Sequence, residues 1–82
     1  MNFKKIKRIR IEIMNYQART ALAMKDLDAF CCLLEQGVQA AIRLGSEKRK
    51  QEAMEIYQDA LLIWPHEARV RQLTGLFALA PL

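Results

Sequence analysis

DLDAFCCLLEQGVQAAIRLGS, residues 26–46, decides the fold. Within it Leu27, Phe30, Cys31, Leu34, Val38, Ala41 and Ile42 recur at steps of three and four. That is the period of one face of an α-helix. A second apolar stripe, Leu33, Gly37, Ala40 and Leu44, lies about a third of a turn round. A helix apolar on two faces is one sandwiched between two others. Asp26 stands where an N-cap is needed, and Gly45 where a left-handed C-terminal stop is needed. The pattern predicts a helix over 27–44.

The neighbours follow the same logic. Ser46 is placed to cap a third segment, with Glu47 in its first turn, where the helix dipole favours an acid. A stop at Gly45 beside a start at Ser46 leaves almost no loop, which predicts antiparallel neighbours. Ala53, Ile56, Tyr57, Ala60, Leu61 and Trp64 make the buried stripe of this helix, over 47–63. Lys48, Lys50, Gln51, Glu55, Gln58 and Asp59 make its wet face. Pro65 stops it, because the residue before a proline avoids helical geometry. Proline is tolerated in a first turn, so a fourth helix is predicted over 66–79. Its Val70, Leu73, Leu76, Phe77 and Ala80 point one way, and Pro81 ends it.

The first segment, 3–25, gives two signals. Ile6, Ile9, Ile13, Tyr16 and Met24 follow helical spacing, and that spacing weighs Tyr16 toward core packing. Ile9, Ile11 and Ile13 also alternate with Arg10 and Glu12, a strand pattern. The length of the run, and the good helix formers from Gln17 to Met24, weigh toward helix. The expected architecture is all-α: four helices in two antiparallel hairpins, forming one domain over residues 1–82.

Composition bounds the function. Eighty-two residues leave no room for a two-domain enzyme with a cofactor-binding half. The 52% apolar and 27% charged content excludes a disordered tail. Cys31 and Cys32 are adjacent, which excludes a disulfide scaffold. No window of 18 apolar residues exists for a transmembrane helix. Glu12, Asn15, Gln17 and Arg19 interrupt the apolar stretch that an export signal needs. With two free-looking cysteines, the expectation is a reducing cytoplasm. The net charge of +4 favours acidic partners only mildly.

The run Ala53, Tyr57, Ala60, Leu61 and Pro65 resembles the second helix of a tetratricopeptide (TPR) repeat, which sets a small residue, an aromatic, a second small residue and a proline at this spacing. Lys25 to Asp28 resembles the polar turn between a repeat's two helices, more loosely. Asn15 to Ala18, Lys25 to Leu27, Leu44 to Arg49, Trp64 to Val70 and Leu76-Phe77 together are similar to the C-terminal TPR-like region of bacterial helix-turn-helix transcriptional regulators. The resemblance implies two TPR-like hairpins that serve dimerisation or docking of a protein partner. It departs from the family in lacking the DNA-binding domain and most of the repeats. Stacked repeats use three or more units to bury their faces, so apolar surface is expected at the ends. Phe3, Ile6, Ile11, Leu76, Phe77 and Leu79 are the candidates for it.

No catalytic, cofactor or metal residue is assigned. His66 is the sole histidine. Cys31 and Cys32 point about 100° apart on a helix and cannot share a tetrahedral metal. Cys31 reads as a small buried hydrophobe. The acids fall at helix starts and polar faces, and no phosphate loop, nucleophile elbow or calcium loop is present. The expected function is protein–protein interaction or oligomerisation without catalysis, as in part of a transcriptional regulator. Tyr16, Arg19, Trp64, Leu76 and Phe77 are the candidate partner-binding residues, with the chain itself a candidate partner. The alternative is nucleic-acid binding, in which Lys4, Lys5, Lys7, Arg8 and Arg10 neutralise phosphates.

Overall fold

The structure, a computed structural model, describes residues 3–78. The protein is all-α, with helices α1 (Phe3–Ala23), α2 (Leu27–Leu44), α3 (Glu47–Ile63), α4 (Ala68–Gln72) and α5 (Thr74–Ala78). No strand occurs among the described residues, and Ile9 to Ile13 are helical.

α2 is the centre, as its two-faced pattern requires. It packs against α1, α3 and α5. Asp26 caps it by accepting from the Ala29 amide at 3.2 Å. Gly45 ends it at φ 74°, its amide donating to the Ile42 carbonyl while the Ser46 amide donates to that of Ala41. Those paired bonds satisfy carbonyls that a helix end would leave bare. Ser46 then caps α3 through the Arg49 amide at 3.3 Å. α1 ends in the same way, with Lys25 at φ 56° where a glycine is usual. Its amide donates to the Leu22 carbonyl and that of Asp26 to the Ala21 carbonyl. Two short turns thus fold three long helices back on one another.

The core is one cluster. Phe30, Leu34, Val38 and Val70 are its largest fully buried side chains. Phe30 meets Trp64 with ring centroids 5.4 Å apart, and Tyr57 meets Phe77 at 5.3 Å. Ala53, Ile56, Tyr57 and Ala60 face inward on α3, with Leu61 and Trp64 half-buried.

Three expectations are corrected here. On α1, Tyr16, weighed toward the core, is exposed together with Ile6, Ile9, Ile13 and Met24, and Ile11, Asn15, Ala18, Ala21 and Leu22 face the core. Both sets have helical period and lie on opposite sides of the helix, so period alone does not choose between them. The inward set is small or polar, which lets α2 come close at Gly37: a Cβ there would stand 3.0 Å from Asn15 Oδ1. Second, Ile11 and Phe77, expected at the surface, are buried, and Leu76 is partly covered. Third, the last helix is two short pieces that begin after Glu67. Pro65 and His66 form a turn held by two bonds from the Arg71 guanidinium to the Pro65 carbonyl, 3.1 and 2.7 Å. Gly75 is a poor helix former, and the chain tightens at Leu73. Leu79, Ala80 and Pro81 lie outside the described residues.

Candidate functional site

Two surfaces of α1 compete as sites. Its flank toward α3 is polar. Asn15 donates to the Arg49 carbonyl at 3.2 Å and to Glu52 Oε1 at 3.3 Å. Arg49 is 7% exposed, and its guanidinium pairs with Glu12 and lies 3.3 Å from Glu52. Further along, Arg19 meets Asp59 at 3.4 Å. These contacts bridge α1 and α3 and run in the same order along both helices, so the two are parallel neighbours. Among the described residues, Asn15 Oδ1 is the buried side-chain polar atom without a hydrogen-bond partner, and it lies against Gly37. The flank is a clamp between helices, and its chemistry is used in holding them. Sequence reading missed it because Arg49 sits in the basic run Lys48-Arg49-Lys50.

The outward face of α1 is apolar and uncovered. Phe3, Tyr16 and Met24 are 73–74% exposed, and Ile6, Ile9 and Ile13 39–52%. No residue from 5 to 10 is buried, so the first turns of α1 have little of their own fold to pack on. Isolated turns of helix are marginal in water, and apolar cover is what stabilises them.

The residues expected to bind a partner separate. Tyr16 and Arg19 lie on α1, Tyr16 bare and Arg19 tied to Asp59. Trp64 is half-buried against Phe30, and Phe77 is buried against Tyr57. Leu76 packs partly on the core. The three C-terminal residues therefore belong to the fold more than to its surface.

Of the basic run, Lys5, Lys7, Arg8 and Arg10 are exposed. Lys7 and Arg10 share a groove of about 400 Å³ with Arg43 of α2, over Ile11 and Met14. No acid lines it.

The remaining chemistry is quiet. Cys31 is buried, and its thiol is pushed above the ordinary range by desolvation, with nearby Arg69 pulling the other way. Arg69 pairs with Asp28, which raises its own value. Cys32 is exposed and accepts from Gln36 Nε2 at 3.1 Å. His66 is exposed. Among the described residues no cluster of three or more His, Cys, Asp or Glu is placed to hold a metal. No helix among them is long and apolar enough to cross a membrane.

The described residues form an all-α fold that leaves one face of α1 open. No protein-family model, curated protein or solved structure matches the chain.

Proposed function

We propose that this chain is a protein–protein interaction module that docks through the outward face of α1. The observation that carries the reading is the exposed stripe Phe3, Ile6, Ile9, Ile13 and Tyr16 on one side of a single helix. Single exposed apolar residues need no explanation, but a continuous stripe marks an interaction surface. A groove-and-helix partner is the chemistry it fits, since anchors at helical spacing are read by another apolar helix or groove. Tyr16 is the aromatic anchor, a residue type enriched at binding hot spots. The reading agrees with the resemblance to TPR-like ends of bacterial regulators, where a helical array docks a partner. The free thiols at Cys31 and Cys32 suit a reducing compartment such as the cytoplasm.

The test is a photo-crosslinking residue placed at Ile13 in cells, with one at Gln51 as control. A discrete adduct at Ile13 that is absent at Gln51, and lost on Ile9→Glu, is the expected result. No adduct at Ile13 would sink the reading.

A second reading has one observation in its favour: Lys7, Arg10 and Arg43 line one groove without an acid. That arrangement suits nucleic-acid phosphates. It requires affinity for duplex DNA or RNA that falls linearly on a log–log salt plot and is lost when Lys7, Arg10 and Arg43 are changed to Gln.

A further inference from the structure

The outward stripe of α1 has the period of a coiled-coil seam. Ile6, Ile9, Ile13, Tyr16, Thr20 and Ala23 alternate steps of three and four, so they occupy successive a and d positions. All six are exposed. Ile11 and Ala18, at the f positions, are the residues that α1 buries in its own core. Seam and core side are about 180° apart at 100° per residue. A second helix laid on the seam would therefore leave the fold behind α1 undisturbed.

We infer that the occupant of this face is α1 of a second copy of the chain, running antiparallel. The inference rests on the docking-face reading above and names its partner. Two features of the helix point to it. In an antiparallel pair a faces d′, and the register that uses the whole helix sets Ile6 on Ala23′, Ile9 on Thr20′ and Ile13 on Tyr16′ (primes mark the second copy). Large residues meet small ones at the ends of the seam, and each contact occurs twice, as a two-fold axis requires. In this register the flanking positions match as well. Phe3 reaches Met24′, joining two apolar residues that are each about three-quarters bare within the fold. Arg10 faces Gln17′. Glu12 faces Arg19′, and both are about half-exposed, so each has room for a contact beyond its own chain. A parallel pair would instead set Lys5, at g, beside Arg10′, at e, on both sides of the seam, with no acid among residues 3–11 to offset them. Like charges so placed are destabilising.

The area is enough. Two aromatic-sized residues about three-quarters bare and three half-bare isoleucines offer on the order of 500 Å² per chain. Twice that reaches the roughly 1,000 Å² from which specific interfaces begin. Interfaces at that lower edge belong to the weak, transient class.

The experiment is light scattering on the eluting protein, over about 1 to about 300 µM, the range suited to such affinities. A rise toward twice the 9.5 kDa chain mass is expected. Ile9→Glu with Ile13→Glu should return it to one chain mass with unchanged helical circular dichroism, since both side chains are exposed. In a Cys32→Ser background, an Ile6→Cys chain mixed with an Ala23→Cys chain should form a disulfide-linked pair, and Ile6→Cys alone should not. One chain mass throughout would overturn the inference, as would a dimer indifferent to the two glutamates. Self-linking of Ile6→Cys would mean a parallel pair and overturn it too. The cell-based crosslink separates the two levels. A monomer in solution with an Ile13 adduct of another mass removes the second copy and keeps the docking face. A monomer with no adduct removes both.

Discussion

Asn15 of α1 donates its side-chain amide to the backbone carbonyl of Arg49 on α3, at 3.2 Å. The bond joins residues 34 positions apart in the chain, and the Arg49 side chain completes the tie by reaching Glu12 on α1 and Glu52 on its own helix. α1 is thus held to the fold by a polar clamp on one flank and small residues against α2, leaving its largest apolar side chains outside.

The clamp makes an ordering prediction. Arg49 is buried, while Glu12 and Glu52 keep much of their side chains in water. Removing both acids strands a buried charge, whereas removing the arginine leaves two solvated carboxylates. Glu12→Gln with Glu52→Gln is expected to cost about 2 kcal/mol, and Arg49→Met less than about 1 kcal/mol, by analogy with buried ion pairs replaced by apolar residues. Urea denaturation of the three proteins measures it. The reverse order would show that the clamp does not depend on burial of the guanidinium.

Gly37 and Asn15 form a coupled pair. A glycine inside a helix costs about 1 kcal/mol against alanine, so Gly37→Ala would ordinarily stabilise α2. Here the added Cβ meets Asn15 Oδ1 at 3.0 Å, and Asn15 is fixed by its two donated bonds. Gly37→Ala is therefore expected to be neutral or destabilising in the natural chain. In an Asn15→Ala background the same change should stabilise by about 0.5–1 kcal/mol. Equal effects in both backgrounds would show that the two helices have slack at this point.

Legibility followed how local each signal was. The caps Asp26 and Ser46, the stop at Gly45 and the inward face of α3 each depend on residues within a turn or two, and could be read directly. The face of α1 could not. Ile6-Ile9-Ile13 and Ile11-Ala18-Leu22 have the same period, and the choice between them turns on whether α2 offers a glycine and α3 offers a carbonyl. Arg49 is a solvated cation by its neighbours and a buried one only because Glu12 arrives from another helix. The candidate site is the remainder of that choice: the stripe was visible, and its direction was not.

The two left-handed turns should respond oppositely to substitution. Gly45 has φ 74° and open space where a Cβ would stand, so Gly45→Ala is resisted by the backbone alone. A loss of about 1 kcal/mol is expected. Lys25 adopts φ 56° with a side chain already present, so Lys25→Gly should gain up to about 1 kcal/mol. Thermal unfolding of the two variants tests both, and a gain from Gly45→Ala would contradict the left-handed stop.

The two adjacent cysteines should behave as different groups. Cys32 is exposed, and Cys31 is buried with its thiol pushed upward by desolvation, against the smaller pull of Arg69. The folded state then holds the Cys31 proton longer than the unfolded chain does. Its contribution to stability is complete below the ordinary value of 9.0 and is lost as the pH rises through the thiol range toward the folded-state value. Other groups titrate in the same range, so the useful quantity is the difference between the natural chain and Cys31→Val. That difference should be constant at neutral pH and move against the natural chain as the solution turns alkaline. A thiol reagent near about pH 8 gives a second reading, because the thiolate is the reactive form. One cysteine should react at once, and the other only as fast as the fold opens. Two equal fast rates would mean that the Cys31 side of α2 is open to solvent, and with it the seat of α5 against that helix.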